Sequence, residues 1–170
     1  NRALESHRVN LISDFPLARV TSNSVVASDG RTLPCDLNMI IPPFVGPGAL
    51  TGTDLTDAEG YVRVDATMRA KHTDRVYAAG DCAGFKGPKL GHMAVRQGEV
   101  VADNIVAEIQ GKAPAARYNH ELMLVIDAGG HESLFLQKDL WSDDEANIQH
   151  SRFWGWAKRK QEQYWKAKHA

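Results

Sequence analysis

The sequence predicts a mixed fold of the α/β to α+β class. Short apolar segments broken by turn residues fill roughly the first half of the chain. One long segment, Gly91–Gln110, then repeats its apolar residues at helical spacing, and two later apolar segments flank a glycine turn. Of the 170 residues, 43% are hydrophobic and 24% charged, the ordinary mixture of a globular chain. Disordered, collagen-like and coiled-coil readings are excluded by that balance.

Taken in order, Val9–Ile12 alternates apolar and polar residues as a short strand does. Ala18–Val20 and Val25–Ala27 are strand candidates, and Ser28-Asp29-Gly30 is a hairpin signal. Leu33 and Leu37–Ile41 read as a buried strand stopped by Pro42-Pro43, because proline brings no N–H to a ladder. Phe44–Glu59, rich in Gly, Pro, Thr and Asp, reads as a loop or interdomain connection. Tyr61–Val64 alternates as another strand, and Asp74–Asp81 reads as a buried strand ending in a glycine turn.

Lys86–Lys89 is a short linker into the helix, whose Ala94, Val95, Gly98, Val101, Ala102, Ile105 and Ile109 are expected on its buried face. Gly111 and Pro114 end it. Leu122–Ile126 and Leu134–Leu136 are strand candidates joined by the turn sequence Asp127–His131. An acidic patch (Asp139, Asp143, Asp144, Glu145) precedes a basic, aromatic tail from Ser151 onward. On a helical wheel, Phe153, Trp154, Ala157, Tyr164 and Trp165 fall within about a third of the circumference, with Arg152, Arg159 and Lys166 outside it. Such a helix, with Trp156 beside this arc, suits the surface of an anionic membrane. It equally suits docking on the body of the protein or on a second subunit.

Charge and cysteine usage remove several function classes. Twenty basic and 21 acidic residues leave a net charge of -1, so no global basic excess is available to bind nucleic acid. The apolar runs are far shorter than the roughly 20 residues a transmembrane helix needs. Cys35 and Cys82 form no CxxC, and the seven histidines show no paired metal-ligand spacing, so no metal site is expected.

The chemistry-bearing segment is Thr73-Asp74-Arg75-Val76-Tyr77-Ala78-Ala79-Gly80-Asp81. Gly80 permits a close backbone approach, and Asp81 supplies an acceptor for a sugar or ribityl hydroxyl. The helix beginning near Gly91 can turn its free N–H groups and positive dipole end toward an electron-rich ligand atom. By itself, a strand followed by Gly-Asp is a common arrangement.

This segment with Cys82 resembles the second flavin-binding motif of the pyridine nucleotide-disulfide oxidoreductase superfamily. Lys89–Ile105 is similar to the helix that follows that motif, and Asp36–Gly46 to the crossover between nucleotide and flavin domains. Within the superfamily the sequence most resembles the branch of sulfide:quinone oxidoreductases and flavocytochrome c sulfide dehydrogenases. The resemblance implies a C-terminal fragment of a Rossmann-like flavoprotein with two dinucleotide domains, because no GxGxxG occurs in the chain. It divides the chain into 1–46 (end of the second nucleotide domain and crossover), 47–112 (later part of the FAD domain) and 113–170 (a C-terminal interface or membrane-associated segment).

Several roles follow from the resemblance. FAD in the full-length parent is the implied cofactor, with Gly80, Asp81, Lys89, Gly91, His92 and Met93 near it. Pro43, Phe44, His92 and Gln97 would line a quinone or acceptor pocket; the alternatives are a rigid crossover for Pro43 and Phe44, and solvent-exposed helix polarity for His92 and Gln97. Phe153, Trp154, Trp156, Tyr164 and Trp165 would contact a membrane or partner. The implied activity carries electrons from a reductant through FAD to a quinone or other acceptor, with the isolated chain inactive. An NAD(P)H:acceptor flavin reductase and a non-enzymatic docking or dimerisation module are the alternatives. A homo-oligomer without nucleic acid is expected, cytoplasmic or peripheral to the inner membrane. Cys82 is read as a position without redox chemistry and Cys35 as a surface or packing residue. The later thiol of the sulfide branch, expected near Leu124, has no counterpart here.

Overall fold

The computed structural model describes residues 4–5, 7–127 and 133–169, and the chain divides into two compact units, Asn1–Phe44 and Val45–Ala170. In the first unit, β1 (Leu17–Val20), β2 (Ser24–Ala27) and β3 (Thr32–Pro34) form an antiparallel sheet in that order. The β2–β3 hairpin turns where the sequence predicts: Gly30 takes φ +89°, and the Asp29 carboxylate accepts the Arg31 N–H at 3.0 Å. Ala27 is buried beneath it.

Two strand expectations fail in this unit. Val9–Ile12 is irregular, and so is Leu37–Ile41, where Leu37 and Met39 are each 88% exposed. Alternation and apolar content call for a partner strand, and none pairs with either segment. Side chains hold the second segment instead. Cys35 Sγ lies 2.6 Å from Asn38 Oδ1, and Asn38 donates to the Thr21 carbonyl at 3.2 Å.

The second unit packs around Val62, Val64, Met68, Ala70, Ala78, Ala83 and Tyr118. Tyr61–Val64 and Asp74–Asp81 are buried in part, yet neither is a regular strand. They meet their neighbours only through isolated bridges, Val62↔Thr56, Val62↔Ala83, Val64↔Ala70 and Tyr77↔Arg69. Met68 and His72 both adopt left-handed backbone conformations (φ 65° and 67°), so the chain reverses too often for a ladder to lengthen.

Helix α1 spans Gly91–Ile109, and Gly111 at φ +73° follows it, as expected of a helix end. Its orientation corrects the wheel. The buried residues are Met93, Gln97 and Asn104, whereas Val95 is 49%, Ile105 40% and Ile109 81% exposed. The polar residues turn inward because loop backbone needs partners there. Asn104 donates to the carbonyls of Thr67 and Ala116, both at 2.9 Å, and accepts the Ala116 N–H at 2.9 Å.

A second antiparallel sheet follows, β4 (Glu121–Asp127), β5 (Ser133–Asp139) and β6 (Asn147–Ser151), in that order. β4 and β5 contain the two predicted strands; their turn from Ala128 to His131 lies outside the described residues. β6, polar but for Ile148, carries too weak an alternation to be expected. Helix α2 (Arg152–His169) lies across β4 and β5, its Trp154 ring stacked on Phe135 at 4.0 Å and 12°. Gly155 lets it approach, since a Cβ there would collide with Ser133 Oγ. Trp154 thus leaves the predicted aromatic group, while Phe153, Trp156, Tyr164 and Trp165 remain exposed. No helix among the described residues is long and apolar enough to cross a membrane.

Candidate functional site

Gly80 opens a short 3-10 turn, Gly80–Cys82, at φ +77°. That conformation disfavours any side chain, and the turn leaves Asp81 exposed. The Gly80 N–H donates to Gln97 Oε1 at 2.7 Å, and Gln97 is only 4% exposed. A buried amide on the second turn of α1 therefore pins the Gly-Asp turn to the helix.

The amino end of α1 lies beside this turn. Leu90 supplies no side-chain cap. The N–H groups of Gly91, His92 and Met93 precede the first intrahelical bond, from Ala94 N to Leu90 O, and so remain donors. A Cβ on Gly91 would meet open space. Lys89, just before the helix, is tied down: its ammonium donates to the Ala83 carbonyl at 2.5 Å and sits 4.5 Å from the Tyr61 ring centroid. Burial pushes the Lys89 pKa down, and Asp81, Cys82 and Asp57 oppose it.

Gly80, Asp81, Lys89, Leu90, Met93 and Gln97 line one cleft of about 10 Å³, room for a single water. The cleft can receive the edge of a larger group rather than enclose one. Gly91 does not line it, and neither does His92. The His92 ring turns to β4, where Nε2 lies 3.3 Å from Met123 N, which donates to it, and 3.4 Å from the Glu121 carbonyl. Pro43 and Phe44 belong to the first unit, where both are exposed.

Sequence reasoning missed an aromatic cluster that reaches the cleft through Phe85 and His120. Phe85, Tyr118, His120 and Trp141 form an aromatic cluster with centroids 5.4–6.0 Å apart. His120, 2% exposed, lies 2.9 Å from the Lys86 carbonyl through Nε2 and 3.1 Å from the Tyr118 hydroxyl through Nδ1. A carbonyl can only accept, so Nε2 carries a proton and donates to it. Burial pushes the Tyr118 phenol pKa up, against the hydrogen bond from Gln97. Gln97, Tyr118 and His120 thereby link the Gly80 turn to the loop before α1. The alternation of Tyr118, His120 and Leu122 was the one sequence signal for this cluster. No cluster of potential metal ligands occurs among the described residues.

The model of the pyridine nucleotide-disulphide oxidoreductase family matches residues 1–98, more than half of the chain. The chain belongs to that family. The match includes the Gly80–Asp81 turn and Gln97. Among curated relatives, Fe-regulated protein 8 of Mycosarcoma maydis is 32% identical over 90 residues, 52% of this chain and 23% of the relative. Mitochondrial sulfide:quinone oxidoreductase of Schizosaccharomyces pombe is 31% identical over 87 residues, 51% of this chain and 19% of the relative. The sulfide:quinone oxidoreductase structure from Aquifex aeolicus superposes with a TM-score of 0.78 at 19% identity, covering 96% of this chain and 42% of that one. The fold is therefore part of a Rossmann-like architecture, and the chain spans about a fifth of the curated relatives it matches.

Proposed function

We propose that this chain forms the part of an FAD-dependent, sulfide:quinone oxidoreductase-like enzyme that grips one edge of the flavin. The observation that carries the reading is the convergence of the Gly80–Asp81 turn and the uncapped start of α1 on one cleft. These residues fit such a group: an exposed carboxylate suits a sugar or ribityl hydroxyl, and three amides at a positive helix end suit an electron-rich ring edge. FAD supplies two-electron transfer when bound. Asp81 accepts a hydroxyl hydrogen bond, the amides of Gly91, His92 and Met93 favour negative charge at the ring edge, and Gln97 holds the turn in register. Quinone as acceptor is proposed from the similarity to sulfide:quinone oxidoreductases. Peripheral attachment to a membrane is supported by the exposed Phe153, Trp156, Tyr164 and Trp165 of α2, a helix that also carries Lys158, Arg159, Lys160 and Lys166.

The test uses the natural protein that contains this chain, purified anaerobically. Bound flavin that a two-electron reductant bleaches is the expected result, with sulfide and NADH compared as donors. Bleaching with NADH alone would move the protein to the NAD(P)H:acceptor reductases, and a colourless preparation would overturn the flavin reading. Asp81→Ala is expected to lower the flavin:protein ratio at least tenfold after gel filtration.

A further inference from the structure

Sheet edges carry unpaired N–H and C=O groups, and stable proteins blunt them. Four edges occur among the described residues, and three carry a protective device. β1 has a register irregularity between Leu17 and Arg19, with a charged side chain in the strand. β3 is three residues long and ends at Pro34. β4 is covered by side chains: Met123 N donates to His92 Nε2 at 3.3 Å, and Lys158 Nζ donates to the Val125 carbonyl at 3.4 Å. β6, Asn-Ile-Gln-His-Ser, has no charge, no proline and no irregular register, and its first four residues are exposed.

We propose that β6 pairs with β6 of a second copy, joining two three-stranded sheets into one six-stranded antiparallel sheet. The register follows from hydrogen-bond alternation. Glu121, Met123 and Val125 turn their backbone groups away from β5, toward His92 and Lys158. Leu122, Leu124 and Ile126 are therefore the β4 residues bonded to β5. Alternation then assigns Ser133, Phe135 and Gln137 to β6, through Ser151, Gln149 and Asn147. The outward groups of β6 belong to Ile148 and His150. A two-fold axis at Gln149 pairs Ile148 with His150 of the second copy and the reverse, closing both hydrogen-bonded pairs. No other register joins all of these outward groups.

Charge complementarity supports the same partner. In this register Asp143, Asp144 and Glu145, which precede β6 and are exposed, run beside the start of α2 in the second copy. That helix start carries Arg152 and no acidic residue in its first turn, and it is the positive end of the helix dipole. Two-fold symmetry makes the match twice. This association does not depend on the flavin reading.

The test is made on the 170-residue chain. Sedimentation equilibrium is expected to give a dimer at 100 μM, and a monomer there would overturn the proposal. Gln149→Cys sits at a non-hydrogen-bonded pair, where Cα atoms approach to about 4.5 Å, within disulfide range. It should crosslink to a covalent dimer under mild oxidation, whereas Asn147→Cys, which faces Ser151 of the second copy, should not. Equal crosslinking of the two variants would overturn the register. Reversal of the acids (D143K with E145K) should weaken the dimer at least tenfold, and mixing that variant with Arg152→Glu should restore association. Failure of the mixture to associate would overturn the charge pairing.

Discussion

Gln97 illustrates how much of this molecule rests on single polar side chains placed inside. Its amide oxygen is the acceptor for Gly80 N–H, and the residue is nearly inaccessible to water. Gln97→Leu keeps the approximate volume and removes that acceptor, leaving a backbone donor unpaired. Leaving a buried donor unsatisfied costs about 1–3 kcal/mol. Urea unfolding of the variant is expected to show a loss of that size with an unchanged slope, and a loss below about 0.5 kcal/mol would mean that the Gly80 turn holds itself. The same residue is where sequence reasoning was weakest. Glutamine near a helix start reads as a solvent-facing or ligand-facing group, because nothing local announces that a glycine N–H seventeen positions earlier lacks a partner.

At the level of elements, local signals were faithful and long-range ones were not. The Asp29-Gly30 turn and the α1 termination at Gly111 depend on neighbours a few residues away, and Leu122–Ile126 finds its partner across the next turn; each is found in the structure. Leu37–Ile41 and Asp74–Asp81 looked like strands, yet a strand exists only beside a partner, and apolar runs do not say where one lies. The wheel of α1 failed for a related reason: burial of Gln97 and Asn104 is decided by loops that the helix covers. The Gly80–Asp81 turn and the start of α1 were visible because they rest on a short motif; the aromatic cluster was not, because Phe85, the Tyr118 and His120 pair and Trp141 come from three separate stretches of sequence. Helix α2 shows packing doing what periodicity could not. Trp154 stacks on Phe135, so Trp154→Ala should cost about 3 kcal/mol and detach the helix from β5. Loss of the near-ultraviolet tryptophan circular dichroism with retained far-ultraviolet helix signal would report that detachment; an intact near-ultraviolet spectrum would count against it.

Across the whole molecule, the surface of α1 is the feature that the internal packing leaves unexplained. Val95, Ile105, Val106 and Ile109 are 49%, 40%, 50% and 81% exposed. Monomeric proteins rarely expose contiguous apolar patches of more than a few hundred Å². The chain superposes on less than half of the Aquifex aeolicus structure, so its fold is a portion of a larger architecture in that protein. Two surfaces are thus separable: the apolar α1 face, which has no backbone specificity, and the largely polar β6 edge, which has a defined register. The 170-residue chain is expected to enhance 1-anilinonaphthalene-8-sulfonate fluorescence through the first of these. Ile105→Lys combined with Ile109→Lys should reduce that enhancement several-fold, because two charges break the stripe at little cost to exposed positions. The same pair should leave Gln149→Cys crosslinking unchanged. If crosslinking falls together with dye binding, association runs through the helix face and the two surfaces are one. If dye binding persists in the double variant, the apolar surface that matters lies elsewhere, with the exposed Leu37, Met39 and Ile41 of the first unit the next residues to charge.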